Sequence, residues 1–186
     1  MFKQIAFDPT AYGSIIGQFL KEPRLAPLGP GTPNRSVHAT LSGLKLEEVF
    51  APRCIADRDM ANACLAGLWL YHDFLDESHT ISQAIENATG SYWHGLMHRR
   101  EPDFDNAKYW FRQVGKHPVF EPLRRAAANL AGRSDQTEWD PFGFVDLCGS
   151  VIDSGSSQEM LCRQMQQAEW ELLFDYSFRQ ACGAIP

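Results

Sequence analysis

No apolar run in the 186-residue sequence reaches the ~18 residues that a membrane-spanning helix requires. The first residues, Met1-Phe2-Lys3-Gln4, also lack the charged-then-apolar layout of a secretory signal. Positive charge is scarce, because 17 Lys and Arg face 23 Asp and Glu and leave a formal net charge of −6. Proteins that coat nucleic acid or an anionic membrane are basic, so we expect neither as a partner.

Cysteine is sparse, and no C-x-x-C spacing occurs. The five cysteines are odd in number and scattered: Cys54, Cys64, Cys148, Cys162 and Cys182. This usage excludes a regular disulfide framework and is typical of reduced, mostly buried thiols. Together with the missing signal, it predicts a cytoplasmic protein.

Several catalytic and nucleotide-binding motifs are missing as well. No G-x-S-x-G elbow occurs, so the sequence does not indicate a serine hydrolase of that type. The glycines near 29–31 and 149–155 form neither a phosphate-binding loop nor a dinucleotide fingerprint. The sequence therefore predicts no organic cofactor, and it leaves the catalytic residues, if there are any, unknown.

Hydrophobic residues make up 44% of the chain, enough to bury a core and to exclude disorder. No segment shows the period-2 alternation of a strand, so the pattern predicts an all-α fold, a compact helical array. We expect a single domain over 1–186, with a Pro- and Gly-rich connector at about 22–36. The connector prolines each fix φ and lack a donor N–H, and they are Pro23, Pro27, Pro30 and Pro33.

Hydrophobic periodicity and capping residues place the helices. Asp57, Asp140 before Pro141, and Ser156 with Glu159 mark three helix starts, the last pair as a capping box. Gly90 is expected to separate two helices, and Gly115 to end another. The predicted helices span about 9–21, 60–73, 76–87, 91–100, 103–114, 122–130, 140–150 and 156–181. Residues 41–50 form a short segment whose structure the pattern leaves open.

Two predicted helix pairs repeat with an offset of 29 residues between segments 76–80 and 105–109. Pairs of this length resemble tetratricopeptide-type antiparallel hairpins, in which a small residue allows the helices to approach closely. Ser78 and Ala107 stand at those positions. The same pattern also fits an ordinary antiparallel helical bundle.

The helix at 91–100 has an apolar stripe that contains an arginine. Tyr92, Trp93, Leu96 and Met97 share one face, which we expect to point into the core, and Arg100 falls in its middle. A buried arginine requires an acidic partner, because an unpaired buried charge is very costly. The candidate partners for a structural ion pair are Asp73, Asp76, Asp103 and Asp105.

On the opposite side, the same segment presents a possible metal-binding pattern. His94 and His98 stand at i and i+4, with Glu101 at i+7. Two histidines on one helix face can chelate a divalent metal, with the glutamate as third ligand or base. Arg99 and Arg100 are sequence neighbours of this pattern, and their charge opposes the binding of a cation.

The region from His94 to Arg125 is locally basic, with seven Lys and Arg against four acids in an acidic chain. Such an excess can hold a phosphate, a carboxylate or an acidic peptide. The alternative is a structural network of ion pairs on solvated helix faces. The residues expected to bind a ligand are His94, His98, Arg99, Glu101, Lys108 and Arg112.

The sequence around this block resembles a known family. The block reads HGLMHRREPD over 94–103 and NAKYWFR over 106–112, and it is preceded by GLWL at 67–70 and DESH at 76–79. It resembles the hallmark of a family of conserved hypothetical proteins of bacteria and fungi, over about 61–118. The resemblance implies a helical fold and a polar block peculiar to that group, and it supplies no activity or catalytic residues.

Three functions follow from these observations. The first is a non-enzymatic helical binding module that takes a protein, a peptide or a small anionic ligand in a His- and Arg-lined groove. The second is an enzyme that uses His94 or His98 as general acid–base on a small anionic substrate. The third is a metal-dependent hydrolase that uses His94, His98 and Glu101.

Overall fold

The computed structural model describes residues 7–132 and 138–183, so Met1–Gln4 lie outside the described residues. Within those ranges the chain is all-α and has no strand, which confirms the predicted fold class. A 3₁₀ turn at Pro9–Tyr12 comes first. The α-helices are α1 Ser14–Phe19, α2 Arg35–Ser42, α3 Leu46–Phe50, α4 Arg58–Tyr71, α5 Leu75–Ser82, α6 Ala88–Arg100, α7 Phe104–Val114, α8 Phe120–Leu130, α9 Pro141–Val151 and α10 Ser157–Ala181.

Several helix boundaries differ from the sequence prediction, among them the end of α5, which is Ser82 rather than about 87. The first helix is interrupted at Gly13, whose φ of 92° leaves the helical region. Helix α2 begins at Arg35, inside the predicted connector, and α3 takes up part of the open segment 41–50. Gly90 does not separate two helices but lies inside α6, because Asn87 caps that helix by accepting from the Gly90 N–H.

Four of the remaining helices, α4, α7, α9 and α10, begin directly after a residue whose side chain caps them. The side chains of Asp57, Asp103 and Asp140 each accept a hydrogen bond from the first turn of the helix that follows. Ser156 caps α10 by accepting from the Glu159 N–H. The reciprocal half of the predicted capping box is shifted by one residue, because Glu159 accepts from the N–H of Gly155 rather than Ser156.

Helix α6 is the central element of the fold. It packs against α4, α5 and α7, and every residue from Thr89 to Arg100 is buried. The expected apolar stripe is in the core, with Tyr92 and Trp93 fully buried. The opposite side of α6 is also covered, so His94 and His98 are buried as well. A helix surrounded by other helices buries its polar face as well.

The long helix α10 closes the other side of the core. It packs on α4, α8 and α9, and it stacks Trp170 on Phe174 next to the Trp93 ring. The Trp93 indole N–H donates to Ser177, and the Trp170 indole N–H donates to the Gly67 carbonyl. Buried indoles with satisfied N–H groups anchor α4, α6 and α10 to one another.

The extended connector between α1 and α2 is held by side chains of α10 rather than by a ladder. Arg163 donates to the carbonyls of Leu25 and Ala26, and Gln166 donates to that of Pro27. These side chains thereby satisfy connector carbonyls that have no backbone partner in a helix or a sheet.

The consecutive helix pairs α4–α5 and α6–α7 pack side by side. Ser78 and Ala107, the predicted small residues, are both fully buried. A tetratricopeptide-type arrangement remains a prediction, as does a single domain over the whole chain. The five thiols are free, and no helix of the described residues combines the length and apolarity needed to cross a bilayer.

Candidate metal centre

Three histidines meet between α5, α6 and α7. His79 of α5 lies against His94 and His98 of α6, with ring centroids 4.6 Å and 5.2 Å away. One ring nitrogen from each of the three lies within 4.8 Å of the others. The i, i+4 spacing on α6 aligns two of the rings, and the packing of α5 on α6 brings the third. We call these three residues the histidine cluster.

His94 is the unusual member of the cluster. Its side chain is buried, and neither ring nitrogen has a hydrogen-bond partner among the described residues. Its ring stacks on Trp110 of α7, with centroids 3.9 Å apart, and on His98, with centroids 4.7 Å apart. Burial, then the neighbouring His98 and His79, lowers the pKa of His94 to about 3, so the imidazole is neutral at pH 7.

His98 is also buried, but its ring has polar neighbours. Its Nδ1 lies 3.1 Å from the Glu101 carboxylate and 4.0 Å from that of Asp103. The Asn106 amide nitrogen lies 3.1 Å from Nε2. Burial lowers the pKa of His98, and the charge of Glu101 opposes that shift only in part.

The buried histidines outside the cluster have both ring nitrogens satisfied. His72 contacts the Phe19 carbonyl and the Asn34 amide. His117 Nδ1 accepts from the Val119 N–H, so its Nε2 carries the proton and faces the Thr89 hydroxyl. Unbonded buried nitrogens therefore distinguish His94 from the ordinary core histidines of this fold, and such atoms require an explanation.

His117 makes the stability of the protein dependent on pH. Burial lowers its folded pKa from 6.5 to about 4, so the unfolded chain takes up the proton first as pH falls. This contribution is fully present above pH 6.5 and is lost as pH falls towards 4. We expect His117→Gln to reduce the difference in unfolding free energy between pH 7.5 and pH 5 by about 2 kcal/mol.

Urea denaturation of both proteins at the two pH values measures this difference. The comparison at pH 7.5 isolates the structural cost of the substitution, because both folded and unfolded imidazoles are neutral there. An identical pH dependence in the two proteins would contradict the prediction.

Arg99 and Arg100 both point away from the histidine cluster and form buried ion pairs. Arg99, predicted to line a ligand groove, is fully buried and pairs with Glu169 of α10 at 2.6 Å. The next residue, Arg100, forms the predicted structural ion pair. Its partner is Asp73 at 2.5 Å, whereas Asp76 and Asp103 are exposed.

Lys108 and Arg112 lie on a different face of α7 from the residues that contact the cluster. Lys108 pairs with Asp146 of α9, and the Arg112 guanidinium lies 6.0 Å from the Phe142 ring centroid. Asn106 and Trp110 stand two residues before Lys108 and Arg112, and they face the histidines instead. A shift of two residues turns a helix by more than half a circle, which separates the two pairs.

An open groove of about 940 Å³ lies between the start of α5 and the end of α6, and the three histidines are not in its wall. Glu101 lies in its wall and also contacts His98, so the groove reaches the cluster through that side chain. The charged residues in the wall are mostly acidic. They are Arg35, Asp73, Asp76, Glu77, Glu101 and Asp103.

His79 is the cluster residue that the metal hypothesis omitted. It stands in the DESH motif at 76–79. Because it lies 15 residues before His94, no spacing along one helix marks the two residues as ligands of the same metal ion. The predicted hairpins gave no signal for it, because they pair α4 with α5 and α6 with α7, whereas His79 meets His94 between α5 and α6.

No protein-family model, no curated protein and no solved structure matches this chain. The family resemblance of the block at 94–112 therefore stays an expectation. What the site does is inferred from its own geometry and charge.

Proposed function

We propose that this protein binds one divalent transition-metal ion through His79, His94 and His98. The observation that carries this proposal is the approach of three imidazoles within 4.8 Å, with His94 buried and both of its nitrogens unbonded. A metal ion bound by these rings would give one of the two unbonded nitrogens of His94 a partner. In the third sequence hypothesis the ligands were His94, His98 and Glu101, and here His79 takes the place of the glutamate.

The donor set selects the class of metal. Neutral imidazole is a ligand for zinc, copper, iron and nickel, whereas magnesium and calcium require oxygen ligands. Metal–nitrogen bonds of about 2.0–2.1 Å require the ligand atoms of a tetrahedral site to approach to about 3.4 Å. The three rings would therefore move together by about an ångström, and the stacked rings of His94 and His98, 16° from parallel, would rotate so that their lone pairs point at one ion. His79 is only partly buried, on the short helix α5, and it has the most freedom to do so.

The surrounding charge supports a cation at this position. The two arginines that opposed it in the sequence hold their guanidinium groups at Glu169 and Asp73, each at hydrogen-bond distance. The groove beside the cluster carries Asp76, Glu77 and Glu101. This acidic wall attracts a metal ion and disfavours the small anionic ligand of the alternative hypotheses.

Three histidine ligands leave a tetrahedral metal with one open position. Sites of this composition are typical of catalytic rather than structural zinc, because the fourth position can hold water or substrate. A metal-dependent hydrolase is therefore the enzyme class that this site favours. The binding module for a peptide or protein remains the alternative, and the acidic groove would favour a basic partner for it.

Metal titration tests the proposal directly. The full chain, stripped with a chelator, is titrated with Zn²⁺ by calorimetry and with Co²⁺ by visible absorption, and the untreated protein is analysed by elemental mass spectrometry. We expect one equivalent of metal in the wild type, and at least a 100-fold weaker affinity in His79→Ala. His79 is preferred over His94 for this variant because its partial exposure limits the effect on folding.

The matched control is His38→Ala, which removes a histidine that is 47% exposed and outside the cluster. It should bind metal as the wild type does. A wild-type protein that binds neither ion more tightly than His79→Ala would overturn the proposal, and the histidines would then be an aromatic stack on Trp110.

A further inference from the structure

We infer that Glu101 is the positioning residue of this metal centre, and that it sets His98 to bind the metal through Nε2. This inference rests on the proposed metal site and adds to it which atom of His98 is the ligand and what holds it. It also gives Glu101 a different role from the one expected from sequence, which was a direct metal ligand.

The first step concerns the proton on His98. The Glu101 Oε2 lies 3.1 Å from Nδ1, and an ionised carboxylate can only accept a hydrogen bond. Nδ1 therefore carries the hydrogen. In the neutral ring, the lone pair is then on Nε2, which becomes the nitrogen available to a metal.

The second step concerns Asn106, the other polar neighbour of the ring. Its amide nitrogen lies 3.1 Å from Nε2 and 3.4 Å from Nδ1 of His98. A donor on the axis of one lone pair would be much farther from the other ring nitrogen. The amide therefore does not lie on the axis of the Nε2 lone pair, so Asn106 does not occupy the position of a metal ion on that axis.

The third step concerns the place of Glu101 in the fold. It follows the last residue of α6, and its N–H donates to the carbonyls of Met97 and His98. This turn holds its backbone one helical turn after His98. Its side chain is 33% exposed towards the groove, whereas that of His98 is 7% exposed. Glu101 thus lies between solvent and the cluster, as an outer carboxylate that orients a ligating histidine.

Substitution of Glu101 separates positioning from direct ligation. We expect Glu101→Ala to weaken Co²⁺ and Zn²⁺ binding by 10- to 100-fold. Glu101→Gln should weaken binding less, by about 10-fold, because its amide oxygen can still accept from Nδ1 but lacks the charge. In both variants the visible spectrum of the saturated Co²⁺ complex should match that of the wild type, since the three nitrogen ligands are retained.

The matched control is Glu77→Gln. Glu77 contacts His38 at 3.1 Å, is 35% exposed and lines the same groove, but it makes no contact with the cluster in the described structure. It should leave metal affinity unchanged. Thermal melting of each metal-free variant shows whether folding is preserved.

Two outcomes would overturn the inference. Affinities of both Glu101 variants within threefold of the wild type would show that the carboxylate does not position His98. A changed Co²⁺ spectrum in Glu101→Ala would show that Glu101 is itself a ligand. In either case, the proposed metal site stands if the wild type binds metal and His79→Ala does not. If the wild type itself binds no metal, the proposed metal site is overturned as well.

Discussion

Replacement of Glu169 by glutamine is expected to lower the free energy of unfolding by about 3–5 kcal/mol. Glu169 and Arg99 are both fully buried, and Glu169 also accepts a hydrogen bond from the Tyr92 hydroxyl at 2.9 Å. The Arg99 guanidinium further packs 4.6 Å from the Phe144 ring centroid. Glutamine keeps the volume but leaves Arg99 as an uncompensated charge in the core.

Chemical denaturation of the variant measures this loss. The control is Arg179→Ala, which breaks the exposed pair with Asp175 and should cost less than about 1 kcal/mol. The double replacement Arg99→Leu/Glu169→Leu should recover much of the stability, because an apolar pair has no charge to desolvate. A Glu169→Gln variant as stable as Arg179→Ala would contradict the prediction.

Asp73→Asn is the second substitution with a large expected effect, about 3 kcal/mol or more. Asp73 accepts from Arg100 at 2.5 Å and from Arg24 at 2.6 Å, and Arg100 also donates to the Gly29 carbonyl. In asparagine one of the two oxygens becomes an amide donor that faces a guanidinium. Asparagine tolerates the positive φ of 64° at this position, so the loss reports charge rather than backbone strain.

Hydrogen exchange adds a local measurement to denaturation for this variant. Because Asp73 links the connector to α6 through Arg24 and Arg100, we expect faster exchange at residues 22–34. Arg100→Ala should cost about 3 kcal/mol as well, whereas Arg24→Ala should cost less than about 1 kcal/mol because Arg24 is partly exposed. An unchanged denaturation midpoint for both Asp73→Asn and Arg100→Ala would show that the pair does not stabilise the fold.

The candidate site was partly predictable from the sequence. The proximity of His94 and His98 is predictable because i, i+4 spacing on a helix brings two side chains together locally. Arg100 was recognised as an ion-pair residue because it interrupts an apolar stripe. The third histidine, His79, could not be derived in this way, because its approach to His94 depends on how α5 and α6 pack.

The burial of the polar residues of α6 could not be predicted from the local sequence pattern either. A helical period distinguishes two faces of α6, but it does not say whether a second layer of helices covers the polar face. In the fold α7 covers it, with Trp110 stacked on His94. The sequence pattern therefore predicts Arg99 in a ligand groove, whereas the packing of the helices buries it in the core.

The sequence by itself determined the helical class, most helix starts and the two α6 histidines, because capping and periodicity act within a few residues along the chain. Only the tertiary structure decided the partners. Glu169 comes 70 residues after Arg99, and Asp73 comes 27 residues before Arg100. Such pairs depend on which helices pack together. Capping and periodicity act within a few residues, so they cannot determine which distant side chains pair.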